Sequence, residues 1–308
     1  MSKNNRAQEF LSVKFRRLLS GAPDGIPPWL DVVAAGDDFG HFSPHDEPWI
    51  VHGDFSTLVG GIRALILQAL HPATLAGVAQ HSRYEQDPLG RLSGTIRWLT
   101  VTTFGSKAAV ASEAGRVNRL HERVSGQVES PDGVARAYRA QDEDLLTWVH
   151  LAFSEAFLSA HLDVSSTPLP GGADAYVDKW RVSAAPLGLK VDDLPRTRAG
   201  LSEALAAYAS DRQLRCDDHT RQVLHFIEHP PLPAAAGPIY RLLFLAAVAN
   251  LPSWATELTG YRIRNRRVVM ALTAWMLRAM RAAIGPESPI EDAAKARLMR
   301  AQRAAANR

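Results

Sequence analysis

One cysteine, Cys216, is all that the 308 residues of this chain contain. A lone thiol excludes an internal disulfide and any thiolate-ligated metal cluster, and there is no Cys-x-x-Cys-His run for covalent attachment of a c-type haem. An excess of one charge is missing too. Lys and Arg number 35 against 32 Asp and Glu, a formal net charge of +3, so the pI near 9.1 reflects a diffuse excess and not a nucleic-acid groove. No apolar run reaches the roughly 20 residues that a bilayer span requires. The most apolar stretch, Leu242 to Val248 within IYRLLFLAAVANLP, ends before Pro252 and reads as a core helix. The N-terminal MSKNNRAQEFLSVKFRRLLSG is interrupted by charge where a secretory leader needs an apolar centre, so neither signal peptide nor membrane span is expected and the location expected is cytoplasmic.

Several catalytic signatures are lacking as well. The chain holds no Gly-x-Gly-x-x-Gly, no Walker loop, no Gly-x-Ser-x-Gly and no His-Glu-x-x-His. Glu155 and the other acids form no paired Glu-x-x-His motifs of the kind a di-iron bundle needs. Alternating runs of Val, Ile and Thr are scarce, and no fixed-period repeat recurs. These absences leave an all-α fold, a single large helical domain whose 46% hydrophobic content is ample for one core.

What is present is helical periodicity. Residues 1–54 read as an N-terminal arm, amphipathic over its first 20 residues, followed by a Pro-rich loop that carries His41, His45 and His52 without a metal-ligand spacing. Residues 55–284 read as the helical domain. It opens with Leu58, Ile62, Leu65, Ile66 and Ala69 at core spacing and with Gly60-Gly61 allowing a close backbone approach. Pro72 starts a second helix after His71, which makes a bent pair. A helix from about Leu89 to Phe104 carries Arg91 and Thr95 one turn apart. The next puts Val110, Ala114, Val117, His121 and Val124 on one apolar stripe. Ser130-Pro131-Asp132 has the composition of a helix start, and a long helix after Asp142 places Leu146, His150, Phe153, Phe157 and His161 on one face. Residues 285–308 read as a basic C-terminal tail helix, exposed or frayed, with Lys295, Arg297, Arg300 and Arg303 and no aromatic among them.

Of the cofactors these residue types can serve, haem b uses most of them: one axial imidazole on a rigid helix, an apolar slot and a cation for the propionates. His121, the Trp98 to Phe104 face and Arg91 are of those types. Each also has a plainer reading. Arg91 suits a surface ion pair, Thr95 a bond to its own helix carbonyl, and His121 and His150 suit core histidines with one satisfied N–H.

The chain resembles the family of rubber oxygenase and MpaB-type oxygenase catalytic domains. The resemblance runs through LQALHPATLAGVAQHS, DPLGRLSGT, the Val-Thr-Thr-Phe-Gly turn and RVNRLHERVSG to Tyr138-Arg-Ala-Gln-Asp and Trp148-Val149-His150, then more weakly to Gly260-Tyr261. It implies a globin-reminiscent helical domain holding haem b. His121 would be the axial iron ligand, through Nε2, with Arg91 and Thr95 beside the haem as the catalytic pair. His150 would help to orient the cofactor. Where latex-clearing members have a lysine that caps the iron, this chain has Gly94, and the distal ligand is left as His71, His81 or none. The expected function is a haem b-dependent oxygenase-like oxidoreductase using dioxygen on a hydrophobic small molecule. The alternatives are a haem peroxidase or sensor and a haem-free helical binding or interaction protein.

Overall fold

Apolar spacing of three and four is realised as helix along most of the chain. The computed structural model describes residues 3–20, 22–81, 88–129, 133–285 and 288–307, with the side chains of 3–7, 15, 18–20 and 88–92 outside the description. In chain order the helices are α1 (Lys3–Ser20), α2 (Leu30–Ala34), α3 (Glu47–His52), α4 (Thr57–Ala69), α5 (Pro72–His81), α6 (Pro88–Phe104) and α7 (Lys107–His121). A hairpin of β1 (Ser125–Glu129) and β2 (Ala135–Arg139) follows. Then come α8 (Glu143–Val164), α9 (Gly172–Trp180), α10 (Arg198–Ser210), α11 (Asp218–Glu228), α12 (Gly237–Ala249), α13 (Ser253–Thr259), α14 (Arg266–Ile284) and α15 (Pro289–Ala306). The architecture is all-α, with that small hairpin as its only strands among the described residues.

The core is organised on α8, whose most extensive partner is α4. Trp148, Leu151, Phe157 and Leu158 meet Ile62, Ile66 and Leu67 in one continuous apolar cluster. Pro72 turns the chain by 103° between α4 and α5, as expected of a residue that fits the first turn of a new helix but not the interior of an old one. The expected close approach at Gly60-Gly61 belongs to Gly60 alone. A Cβ at Gly60 would lie 2.7 Å from Phe157 Cδ1 and 3.0 Å from Phe157 Cα, whereas one at Gly61 meets nothing within 4 Å. Gly60→Ala is therefore expected to cost about 1–3 kcal/mol through overpacking. Gly61→Ala, in the same helix, should gain up to about 1 kcal/mol from propensity. Denaturant midpoints of the two variants should move in opposite directions.

Three sequence expectations need correction. No strand was anticipated, yet β1 and β2 pair antiparallel from Ser125 with Arg139 to Glu129 with Ala135. The hairpin is too short to show alternation, and it is held by packing: Tyr138 is buried against Ala73 and Ala76 of α5, with Val124 and Val128 beside them. Residues 130–132, read as a helix start, lie outside the described residues, and the element after them is β2 and not a helix. The C-terminal helix is not a frayed tail. Ile290, Ala294, Leu298 and Ala301 are buried, and Arg297, fully buried, donates to the backbone oxygens of Asp38 and Phe104. The Pro-rich loop is thereby anchored, and it forms α2 and α3 on the way to the core.

Candidate functional site

The helices that carry the expected site residues form a hairpin, α6 turning at Gly105 into α7, where Ser106 Oγ accepts from the Ala109 amide at 3.2 Å. Its register is set by Glu113, whose side chain is 1% exposed. Arg97 Nε donates to one carboxylate oxygen at 2.8 Å, and Arg116 donates to the other from Nη2 at 2.6 Å and from Nε at 2.9 Å. Burial raises this carboxyl, but the bonds and charges of Arg116 and Arg97 outweigh it and hold it below the usual carboxylate range. An ionised Glu113 thus stitches α6 to α7. With Arg97 level with Glu113, a rise of about 1.5 Å per residue places Arg91 about 9 Å along one helix and His121 about 12 Å along its antiparallel neighbour, towards the same end. Arg91 lies on the described backbone, but its side chain is outside the description. Thr95 is half-buried, and a Cβ at the adjacent Gly94 would meet nothing within 4 Å among the described residues.

His121 ends α7. Val110 and Ala114 of its stripe are buried, Val117 is half-buried, and His121 is intermediate in exposure. Its Nδ1 is buried and without a hydrogen-bond partner among the described residues. Burial holds the imidazole below its ordinary pKa, so at neutral pH it is uncharged with a lone pair available. The nitrogen expected to bind iron was Nε2, whereas the atom left without a partner is Nδ1.

The segment after α9 underlies this end of α7. Asn118 Nδ2 donates to the Pro186 carbonyl at 3.2 Å, and the short 3-10 turn of residues 185–187 packs on α7. Arg181, 6% exposed, holds that segment through Val191 O at 2.6 Å and Asp178 at 2.6 Å. His150 of α8 sits within the field of Arg181. Desolvation first, and that guanidinium second, depress its pKa to about 4. Asn118 of α7 and Arg181, near His150 of α8, thus belong to one connected region, and both His150 and His121 are neutral at physiological pH.

Four other histidines have partners of their own. His71 Nδ1 accepts from the Thr74 amide at 3.4 Å while Nε2 faces Asp144 at 3.9 Å. His81 is exposed and bonds Ser125 O at 3.0 Å, docking α5 on β1. His161 bonds Thr167 O at 2.8 Å, and Ser56 lies at 3.4 Å. His52, in the Pro-rich segment, is buried between Thr103 and Tyr176 at 2.8 and 3.0 Å. No group of three or more His, Cys, Asp or Glu is placed to share a metal ion among the described residues. One nitrogen of each of the two histidines left as distal ligands is engaged, Nδ1 of His71 and Nε2 of His81.

A cavity of about 440 Å³ opens elsewhere, between α5, β1 and the chain leading into α11. Pro72, Leu75, Ala76 and Ala79 form its apolar wall, and Arg215 and Asp217 its polar rim. Thr95, His121 and His150 are not among the described residues that line it. Sequence reasoning passed over Glu113, Arg97, Asn118 and Arg181, which position the site. Only the Glu113 and Arg116 spacing of three was visible as a helix-face pair; the other contacts join separate elements.

Neither a curated protein nor a solved structure matches this chain. One family model does: ER-bound oxygenase mpaB/B′ and rubber oxygenase, catalytic domain, over residues 49–284. That span runs from α3 to the end of α14 and takes in the α6–α7 hairpin, the segment beneath it and His150, so the chain belongs to this family of oxygenase catalytic domains.

Proposed function

We propose that the chain is a haem b-dependent, oxygenase-like oxidoreductase that acts with dioxygen on a hydrophobic small molecule. The observation that carries this reading is the His121 imidazole, neutral, at the end of a braced helix, with a buried nitrogen that no described protein group satisfies. An orphaned buried donor or acceptor costs about 1–3 kcal/mol, and binding a metal relieves that cost. His121 would hold the iron of one haem, Arg91 on the neighbouring helix would serve a propionate, and Thr95, half-buried on the helix of Arg91, would stand beside it.

Haem, when bound, supplies the oxidising chemistry that this side-chain set lacks. The protein supplies position. His121 stays neutral because it is desolvated, and its helix cannot slide because Glu113 clamps α6 to α7. Arg91 offers a planar fork for a carboxylate. Thr95 contributes a hydroxyl that donates or accepts one hydrogen bond. His150, uncharged, steadies the segment below His121 without adding a second cation beside Arg181.

Protein expressed with added iron and haem precursor should show a Soret band. His121→Ala should abolish or strongly shift that band while the far-ultraviolet circular dichroism is retained. A folded but colourless wild type, or an unchanged band in the variant, would remove the haem assignment.

A further inference from the structure

On α14 the buried face is regular, with Met270, Thr273 and Leu277 turned inward, but the opposite face is apolar as well. Val268 is 55% exposed, Leu272 51% and Trp275 66%. At about 100° per residue these three and exposed Ala279 fall within roughly 60° of arc, a stripe about 17 Å long. Arg267 and Arg278, both exposed, lie along one border of that stripe.

Charge within this segment of the chain has one sign only. Residues 258–285 hold six arginines (Arg262, Arg264, Arg266, Arg267, Arg278 and Arg281) and no Asp or Glu. Arg266 pairs with Asp163 and Arg281 with Asp54. Arg262, Arg264, Arg267 and Arg278 have no ion pair among the described residues.

We propose that this face of α14 docks on an anionic membrane surface. A tryptophan and aliphatic side chains on a convex helix, bordered by arginines, match the interface between headgroups and acyl chains, where indole rings settle and guanidinium groups reach phosphates. A second copy of the chain fits poorly. Packing two such stripes about a two-fold axis would set arginines against arginines with no acid on either helix to neutralise them. No single helix among the described residues is long and apolar enough to cross a bilayer. The inference is independent of the haem assignment.

Co-sedimentation of the full chain with vesicles tests it. Binding is expected to equimolar phosphatidylserine and phosphatidylcholine at low salt, weakening at high salt, and not to phosphatidylcholine alone. Each arginine neutralised should lower the partition coefficient about fivefold, so Arg267→Gln with Arg278→Gln should lower it about 25-fold. Trp275→Ala should lower it about as much. Both variants change exposed side chains, and their folding can be checked by circular dichroism. Failure of the wild type to bind the anionic vesicles would overturn the proposal, as would binding indifferent to both variants. A wild-type dimer in solution that Trp275→Ala converts to monomer, without vesicle binding, would assign the face to self-association instead.

Discussion

Replacing Glu155 by alanine is expected to lower the unfolding free energy by about 3–5 kcal/mol, because it strands a charge in the core. Arg63 of α4 is 1% exposed and is paired through both terminal nitrogens with the Glu155 carboxylate of α8. Its Nε donates to Asn250 O at 3.0 Å, and Ser159 Oγ donates to the same carboxylate at 2.7 Å. Asn250 in turn donates to Asp163 at 2.6 Å. The network therefore joins α4, α8 and the end of α12. Once Glu155 is gone, the guanidinium keeps one carbonyl and has no counter-ion. The double variant Arg63→Met, Glu155→Leu should recover most of the loss, since a well-packed apolar pair replaces an ion pair at little net cost. Urea midpoints of the three proteins provide the measurement. A loss below about 1 kcal/mol in Glu155→Ala would mean that the pair is effectively solvated.

Acid should destabilise the fold well above the range in which carboxylates titrate. Burial depresses His52 to about 3 and His71 to about 4, against 6.5 for the exposed ring. The geometry explains His52. Thr103 spends its hydroxyl proton on Leu99 O, so His52 Nδ1–H donates to Thr103, and Nε2 is left as the acceptor for Tyr176. Protonation would place two donors face to face in a dry site. Because the folded pKa values lie below the unfolded ones, the stabilisation is fully present above about 6.5. It is lost as pH falls from there towards the folded values, where the unfolded chain binds protons that the native state refuses. Each of the two residues contributes about 1.4 kcal/mol per pH unit in that window, near 3 kcal/mol together. His41, His121, His150 and His161 are also depressed and act with the same sign. Buried Glu47 and Glu113, whose unshifted value is 4.5, enter only at lower pH. Stability measured by urea at pH 7, 6 and 5 should therefore fall steeply, and His52→Gln should flatten the slope by about one histidine's share. A profile level from pH 7 to 5 would contradict this account of the buried imidazoles.

Helix positions were legible because each depends on a short window. The apolar spacing in Leu58, Ile62, Leu65 and Ile66 places α4, Pro72 places the bend, and Asp142 stands at the N-cap of α8 as its composition indicates. The hairpin escaped notice because five-residue strands at Ser125–Glu129 and Ala135–Arg139 owe their existence to packing on α5. The tail was misread for the same reason. Arg297 looks like a solvated cation until two backbone oxygens, from residues 38 and 104, converge on it.

The site divides along the same line. The sequence by itself determined that His121 and His150 belong to apolar helix faces and that Arg91 and Thr95 share one turn of a neighbouring helix. A helical face depends on residues three and four apart, all within one segment. The partners of the histidines, by contrast, follow from the tertiary structure. His52, His81 and His161 are satisfied by groups from other elements, His71 by the Thr74 amide and by Asp144 across from it, and His121 keeps a buried nitrogen that no described residue meets. The partners of His52 and His81 lie dozens of residues away in the chain, and periodicity carries no information about them.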